Sequence, residues 1–172
     1  MNKSIPFMVI LSTLIGFAGF AAAETASVTL KATTEGSNVS GTASLEEIEG
    51  GLKITAEVSN AAPGNHGFHI HENGSCDDHG KAAGGHFNPD KVQHGLLTKD
   101  GFTGAHAGDL GNFEINADGT GKYEAVIPGL SLTSGNHNVM GKSFILHAKT
   151  DDFGQPTGNS GDRIACGIIE KK

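Results

Sequence analysis

The residues best suited to chemistry in this chain are six histidines and one aspartate with the spacing of metal ligands. They are His69, His71, His86, His94, His106, Asp109 and His147. Imidazole nitrogen suits copper and zinc, and a carboxylate beside three imidazoles suits zinc. The set is large enough for two metal sites that share one ligand. Alone, any of these residues would be interpreted as an ordinary polar side chain, so the prediction rests on their joint spacing.

Two alternating segments are expected to hold three of the histidines on outward faces of a sheet. Residues two apart in a strand project from the same face, so His69 and His71 stand side by side while Phe68 and Ile70 face the core. The same alternation turns His147 outward on a later strand. A loop could then cover the three imidazoles and complete a site.

The rest of the chain is typical of an all-β domain. Its 172 residues include 26 glycines and show almost no helical periodicity, and short alternating segments bounded by turn signals predict strands. We expect an eight-stranded Greek-key β-sandwich or barrel. The predicted strands are residues 26–32, 41–48, 52–58, 67–72, 110–115, 123–127, 143–149 and 163–170.

Two loops interrupt this pattern. Residues 73–107 contain no convincing periodic segment, and a loop of this length is either disordered or functional. The loop carries Cys76, His86, His94 and His106, and ties to a metal or a disulfide would offset the entropy of ordering it. A shorter loop at residues 150–162 ends at Arg163.

The first 23 residues are predicted to be a signal peptide that is removed. Lys3 precedes an apolar segment at residues 7–20, and three small residues at 21–23 resemble a cleavage site. Because the apolar segment is short, we expect no stable membrane span after cleavage, although a retained anchor is the alternative. Export would bring Cys76 and Cys166, the only cysteines, into an oxidising compartment, so we expect a disulfide rather than two buried thiols.

The acidic composition limits the possible partners. Losing Lys3 would take the formal charge from −7 to −8, which argues against nucleic-acid binding. An anionic substrate would need a local positive patch to attract it against the net field.

Five segments resemble the copper/zinc superoxide dismutases, in particular their bacterial exported branch. They are GFHIHE (67–72), GHFNP (85–89), HAGDLG (106–111), LHAKTDD (146–152) and GDRIACG (161–167). The resemblance covers essentially all of residues 24–172 and implies a single domain of this type in the periplasm. It also implies an antioxidant enzyme that converts superoxide to dioxygen and hydrogen peroxide, with one copper and one zinc per subunit.

The resemblance implies a role for each residue of the site. Copper would be held by His69, His71, His86 and His147, and zinc by His86, His94, His106 and Asp109. His86 would be the shared imidazolate, which leaves copper and takes a proton when copper is reduced. Arg163 would hold the superoxide anion, Asp151 would link a copper-ligand histidine to a zinc-ligand histidine, and Cys76 and Cys166 match the family's disulfide.

The shorter loop departs from the eukaryotic members of that family, so their substrate-steering charges cannot be transferred. Lys81 and Lys149 lie close to predicted ligands and are candidates for this role, although exposed lysines are usually solvated surface. The remaining histidines need no catalytic role. We expect a packed or hydrogen-bonded His66 and solvent-exposed His79 and His137.

Two other classes of function compete with the enzyme. An exported copper or zinc carrier would keep the histidines but would need neither Arg163 nor Asp151. A β-sandwich interaction module would give no reason for seven ligand-type residues in register. The sequence leaves open whether the protein is a monomer or a homodimer.

Overall fold

The alternating segments form an antiparallel sheet in the computed structural model, which describes residues 23–172. The predicted signal peptide therefore lies, except for its last residue, outside the described residues. The strands are β1 Thr25–Ala32, β2 Ser40–Ile48, β3 Gly51–Ser59, β4 Gly64–His71, β5 Asp109–Ile115, β6 Gly121–Ile127, β7 Ser143–His147, β8 Arg163–Ile168 and the short β9 Glu170–Lys171.

The observed strand order is that of a Greek-key barrel. Neighbouring strands follow the order β5-β4-β7-β8-β1-β2-β3-β6, and β9 pairs with β1. The connections β3 to β4 and β6 to β7 join strands that are not neighbours. The two end strands, β5 and β6, are consecutive in sequence, and the Tyr123 hydroxyl donates to the Leu110 carbonyl across the seam between them. The barrel is therefore nearly closed, in agreement with the predicted all-β fold.

The core holds the inward residues of these strands. Phe68 stacks on Phe144 with ring centroids 4.9 Å apart and meets Phe113 edge to face at 5.3 Å. Ile70 is also fully buried. Burial of these large side chains on one face fixes the register of β4, because a shift by one residue would move the histidines into the core.

The structure corrects several predicted boundaries. The segment predicted as one strand over 163–170 is divided at Ile169, whose N–H donates to the Lys142 carbonyl and whose carbonyl accepts from Gly141. The long loop also contains structure that the sequence pattern did not reveal, a 3-10 turn at Lys81–Ala83 and one helical turn, α1, at Leu97–Asp100. Both are too short to show a helical period.

Two loops cover one side of the barrel. The first loop, residues 72–108, joins β4 to β5, and the second loop, residues 148–162, joins β7 to β8. Over residues 23–172, none of the helical segments has the length and apolar composition needed to cross a bilayer.

Candidate metal centre

Four histidines meet where β4 and β7 pair beneath the first loop. His69 lies opposite Ile145 in the register of these strands, and His71 forms an isolated bridge pair with His86 of the first loop. With His147 these residues place one ring nitrogen each within 4.8 Å of the others, and all four are buried. The alternation in β4 and β7 therefore delivers the three histidines as predicted, and the loop adds the fourth.

Each histidine of this group can offer one ring nitrogen as a ligand to a shared metal ion. The Nδ1 atoms of His71 and His147 bond to the carbonyls of Gly84 and Gly161, at 3.0 and 3.3 Å. Their Nε2 atoms lie 3.3 Å apart. The Nδ1 atom of His69 is buried without a hydrogen-bond partner in the described chain. Buried imidazole nitrogens in this arrangement fit a nitrogen-ligated metal ion, for which copper is well suited.

A second group surrounds the Asp109 carboxylate at the start of β5. Its Oδ1 lies 2.7 Å from Nδ1 of His86 and 3.1 Å from Nδ1 of His106. Its Oδ2 lies 2.9 Å from Nδ1 of His94, yet that nitrogen makes no aligned hydrogen bond. Three imidazole nitrogens that converge on one carboxylate fit a closed tetrahedral zinc site.

Backbone N–H groups hold this carboxylate in place. Oδ2 of Asp109 accepts from His106 at 2.8 Å and from Gly95 at 3.0 Å. The three-residue spacing from His106 allows the carboxylate to return to the start of its own turn. Asp109 is fully buried, so these bonds and the histidines are what make its burial tolerable.

His86 belongs to both groups. Its Nδ1 faces Asp109 at 2.7 Å, while its ring lies 4.1 Å from that of His69 and 5.0 Å from that of His71, centroid to centroid. Both groups contain it with a ring nitrogen within reach of the other donors. The sequence prediction of one shared residue therefore has the geometry it needs.

Burial controls the protonation of the first group. Desolvation, together with weaker repulsion from the neighbouring histidines, lowers the pKa of His86 to about 4 and that of His147 to about 3. The pKa of His71 is lowered well below its usual value for the same two reasons. These rings are therefore neutral at neutral pH, the form in which imidazole binds a metal.

The carboxylates reverse this effect at His94. Burial acts to lower its pKa, but the close carboxylates of Asp109 and Asp151 outweigh burial and raise it to about 9. The pKa values of both aspartates are lowered, because their bonds to histidines outweigh the opposing effect of burial. In the metal-free protein His94 is consequently protonated between two ionised carboxylates.

Asp151 joins the two groups from the second loop. Its Oδ2 accepts from Nε2 of His69 at 2.8 Å, and its Oδ1 lies 3.0 Å from Nε2 of His94. The Asn112 side chain of β5 holds the Asp151 backbone by two bonds, donating to its carbonyl at 3.0 Å and accepting from its N–H at 2.7 Å. Such acceptors orient ligating histidines and increase their basicity.

Arg163 begins β8 and faces the first group. Its guanidinium donates to the carbonyl of Gly84 at 2.6 Å and to that of Gly80. It is half-buried, and burial lowers its pKa, but a guanidinium stays charged at neutral pH. A cavity of about 190 Å³ opens here. It is lined by His71, Gly85, His86, His147, Thr157, Asn159, Ser160, Gly161 and Arg163.

The predicted disulfide is confirmed. Cys76 and Cys166 are bonded, with their Cα atoms 5.7 Å apart. The bond attaches the first loop to β8 three residues beyond Arg163. The segment that supplies the two carbonyls for the guanidinium is therefore tied to the strand that carries it.

Comparison with known proteins decides the family. A family described as copper/zinc superoxide dismutase (SODC) matches residues 39–169. The chain belongs to the copper/zinc superoxide dismutase family. It is 40% identical over 136 residues to an extracellular superoxide dismutase [Cu-Zn] of Caenorhabditis elegans, covering 75% of this chain and 60% of the relative. A protein of the same description from Haemonchus contortus is 42% identical over 125 residues, 69% of this chain and 66% of the relative.

The alignments span less than two thirds of either curated relative's length. Among solved structures, the clock protein EA4 is similar with a TM-score of 0.76 and 32% identity, covering 90% of this chain and 98% of that one. The copper/zinc superoxide dismutase fold is thereby shown. Copper and zinc, the metals in the family's name, suit the two donor groups described above.

The remaining histidines of the chain follow the predictions in part. His66 is buried and bonds to the carbonyls of Ala62 and His147, at 2.8 and 2.7 Å, and His79 is exposed. The expectation of a solvent-exposed His137 is wrong. Its ring stacks on Phe102 with centroids 3.7 Å apart, because a carboxylate and an aromatic ring from distant segments meet it there. The carboxylate is Asp90, at 2.6 Å.

The two lysines proposed for steering both lie near the site. Lys81 is exposed and lines a neighbouring cavity of about 250 Å³ together with His79 and Arg163. Lys149 is exposed and packs its aliphatic stem near Gly161. Their positions agree with the prediction, and their role stays a prediction.

Sequence reasoning missed two side chains of this superoxide dismutase family member. Asn112 holds the backbone of Asp151, and Gln155 holds that of His94. Asn112 lies three residues after Asp109 in the predicted strand 110–115, so its proximity to the site could have been inferred. No periodicity could have placed Gln155, because both partners lie in loops.

Proposed function

We propose that this chain is an exported superoxide dismutase that converts superoxide to dioxygen and hydrogen peroxide. The observation that carries the proposal is the position of His86, which contributes to a group of four histidines and to a group of three histidines and an aspartate. We assign copper to His69, His71, His86 and His147, and zinc to His86, His94, His106 and Asp109. His86 would then be a ligand of both metal sites.

Bound copper would supply one-electron chemistry, taking an electron from one superoxide and returning it to a second, so that two superoxides and two protons give dioxygen and hydrogen peroxide. The protein residues manage the anion and a proton. Arg163 binds superoxide in the cavity by charge-assisted hydrogen bonds. His86 keeps its Nδ1 toward the zinc group and can hold the proton at Nε2. The cavity of about 190 Å³ is large enough to admit a diatomic anion.

The zinc group has a structural role in this proposal. Its four donors leave no position for water or substrate, which is characteristic of structural zinc. A zinc ion held there would take the place of the proton on His94 and balance the charge of Asp109. Asp151 links this site to His69, because its Oδ2 accepts a hydrogen bond from the His69 ring.

The location of the mature protein is proposed on two grounds. The relatives are described as extracellular, and a disulfide suits an oxidising compartment. Together with the predicted signal peptide, these support export. The periplasm, and membership of the bacterial exported branch, follow from the resemblance of the five motifs. Monomer and homodimer both remain compatible with the proposal.

The decisive experiment purifies the exported protein and counts copper and zinc per chain. Superoxide removal is then measured in the loaded protein, after chelation, and after each metal is restored. We expect about one ion of each metal, and activity that disappears with copper. A loaded protein without superoxide-dependent turnover would identify a metal carrier instead.

Two variants sharpen this test. His86→Ala should abolish activity and separate the metal sites, so that a copper signal no longer responds to zinc. His79→Ala is the matched control, since it removes an exposed imidazole near Arg163 without touching either donor group. It should retain both metals.

A further inference from the structure

Gln155 makes a two-point contact with the backbone of His94. Its Oε1 accepts from the His94 N–H at 3.1 Å, and its Nε2 donates to the His94 carbonyl at 2.8 Å. The residues are 61 positions apart, one in the second loop and the other in the first. A side-chain amide here pairs with a residue as a neighbouring strand would.

The Gln155 amide bonds to two backbone groups of His94, its N–H and its carbonyl, that have no backbone partner in the described part of the chain. Within residues 23–172, neither its N–H nor its carbonyl takes part in a backbone–backbone hydrogen bond of the loops. His94 is buried, and buried backbone groups require partners. The Gln155 amide supplies both of them.

The second loop also holds the ring of His94. Asp151 bonds to its Nε2 at 3.0 Å, and the ring of Phe153 lies nearly parallel to it with centroids 6.3 Å apart. The same loop then continues through Thr157 and residues 159–161, which form one wall of the cavity beside Arg163. Gln155 lies between these two parts of the loop.

We propose that Gln155 is a positioning residue that fixes His94 for zinc and couples the zinc group to the wall of the substrate cavity. Zinc bound at His94 would stabilise the hydrogen bonds between His94 and Gln155. In return, an ordered second loop would hold His94 in position to bind zinc. Coupling of this kind acts equally in both directions. The inference rests on the zinc assignment proposed above.

A matched control lies within the first loop. Asn88 holds Val92 by the same pair of bonds, donating to its carbonyl at 3.0 Å and accepting from its N–H at 3.1 Å. This contact joins two residues of one loop and does not reach the second. Losing it should affect the first loop alone.

The first measurement follows amide hydrogen exchange in the metal-free protein. Gln155→Met keeps the length of the side chain and removes both hydrogen bonds. We expect exchange of the His94 amide to become at least tenfold faster, with little change in Asn88→Ala. Circular dichroism checks that each variant is folded, and Gln155→Ala provides a second variant if methionine disturbs the loop. Unchanged exchange at His94 in both Gln155 variants would overturn the contact.

The second measurement uses Co²⁺ as a spectroscopic substitute for zinc. Gln155→Met should weaken Co²⁺ affinity about tenfold, which corresponds to about 1.4 kcal/mol. Bound Co²⁺ should also slow exchange at the Asp152 and Gly158 amides less in this variant than in wild type. Equal affinity and equal slowing would overturn the coupling. Failure of the wild type to bind Co²⁺ in a four-coordinate site would overturn the zinc assignment and the coupling, but His94 exchange would still decide the contact.

Discussion

The Asp151 carboxylate accepts a hydrogen bond from His69 at 2.8 Å, and both residues are buried. The other oxygen of the same carboxylate reaches His94. One side chain therefore orients a residue of each metal group, and the consequences of changing it can be measured separately at the two sites.

Asp151→Asn should weaken zinc binding by about 10- to 100-fold, the usual effect of removing an acceptor behind a ligating histidine. The amide keeps the shape but loses the charge that supports His94. Competition with a chelator measures the affinity. Asp152→Asn is the control, because among residues 23–172 the side chain of this exposed neighbour bonds only within the second loop, to Gly154 and Asn159. Equal effects of the two changes would argue against the assigned role.

Gly158→Ala should displace the Asp151 carboxylate. Gly158 has a φ of +76°, and a Cβ there would lie 1.9 Å from Oδ1 of Asp151 and 2.7 Å from Nε2 of His94. We expect a loss of about 1–3 kcal/mol in the free energy of unfolding, measured with denaturant. Gly36→Ala has a similar φ, +78°, and open space around it, so it isolates the backbone cost. A loss no larger than that of Gly36→Ala would contradict the steric argument.

Arg163→Ala should reduce the rate of superoxide removal by about 10- to 100-fold, equivalent to the loss of a charged hydrogen bond of about 1.5–3 kcal/mol. Arg163→Lys should lose less, because it keeps the charge but cannot make the paired contacts of a guanidinium. The copper and zinc content should stay unchanged in both variants. Wild-type rates in the alanine variant would remove Arg163 from the proposed mechanism.

Lys81→Gln should lower the rate at low salt and reduce its dependence on ionic strength, since screening acts on a steering charge. Lys122→Gln changes the net charge equally but lies on β6 beside Glu124. We expect little effect from this control. An identical salt dependence in wild type and Lys81→Gln would leave steering to other residues.

The metal-free protein should be most stable near its histidines' ordinary pKa of about 6.5. Below this pH, His86 and His147 bind protons in the unfolded chain, whereas in the folded protein they stay neutral down to about pH 4 and 3. The free energy of unfolding therefore falls as the pH falls. Above it, folded His94 keeps its proton up to about pH 9, so stability falls again as the pH rises. Unfolding in denaturant at about pH 4.5, 6.5 and 8.5 measures the profile, and a steady rise across this range would contradict it.

Strand alternation made much of the site predictable. It placed His69 and His71 on one face and Phe68 on the other, because burial of a single face allows only one register. Once the strands were assigned, the family resemblance indicated the same two groups of residues that the structure brings together. The roles of these residues stay proposals until metal is bound.

The contacts between loops could not be predicted in the same way. Gln155 and His94 lie in segments without a repeat, and their pairing depends on how two loops cross above the barrel. His137 illustrates the same limit, since its partners Asp90 and Phe102 approach from distant parts of the chain. Periodicity describes which face a residue occupies, and it carries no information about which loop covers that face.

The Cys76–Cys166 bond makes maturation of the site depend on the cellular compartment. In a reducing cytoplasm, the disulfide would not attach the segment that carries the carbonyls of Gly80 and Gly84 to β8. The guanidinium of Arg163 would then lose acceptors in fixed positions. Under the proposed export, oxidation after translocation would be the final step in assembling this site. The arginine proposed to bind superoxide would then reach its fixed orientation only outside the cytoplasm.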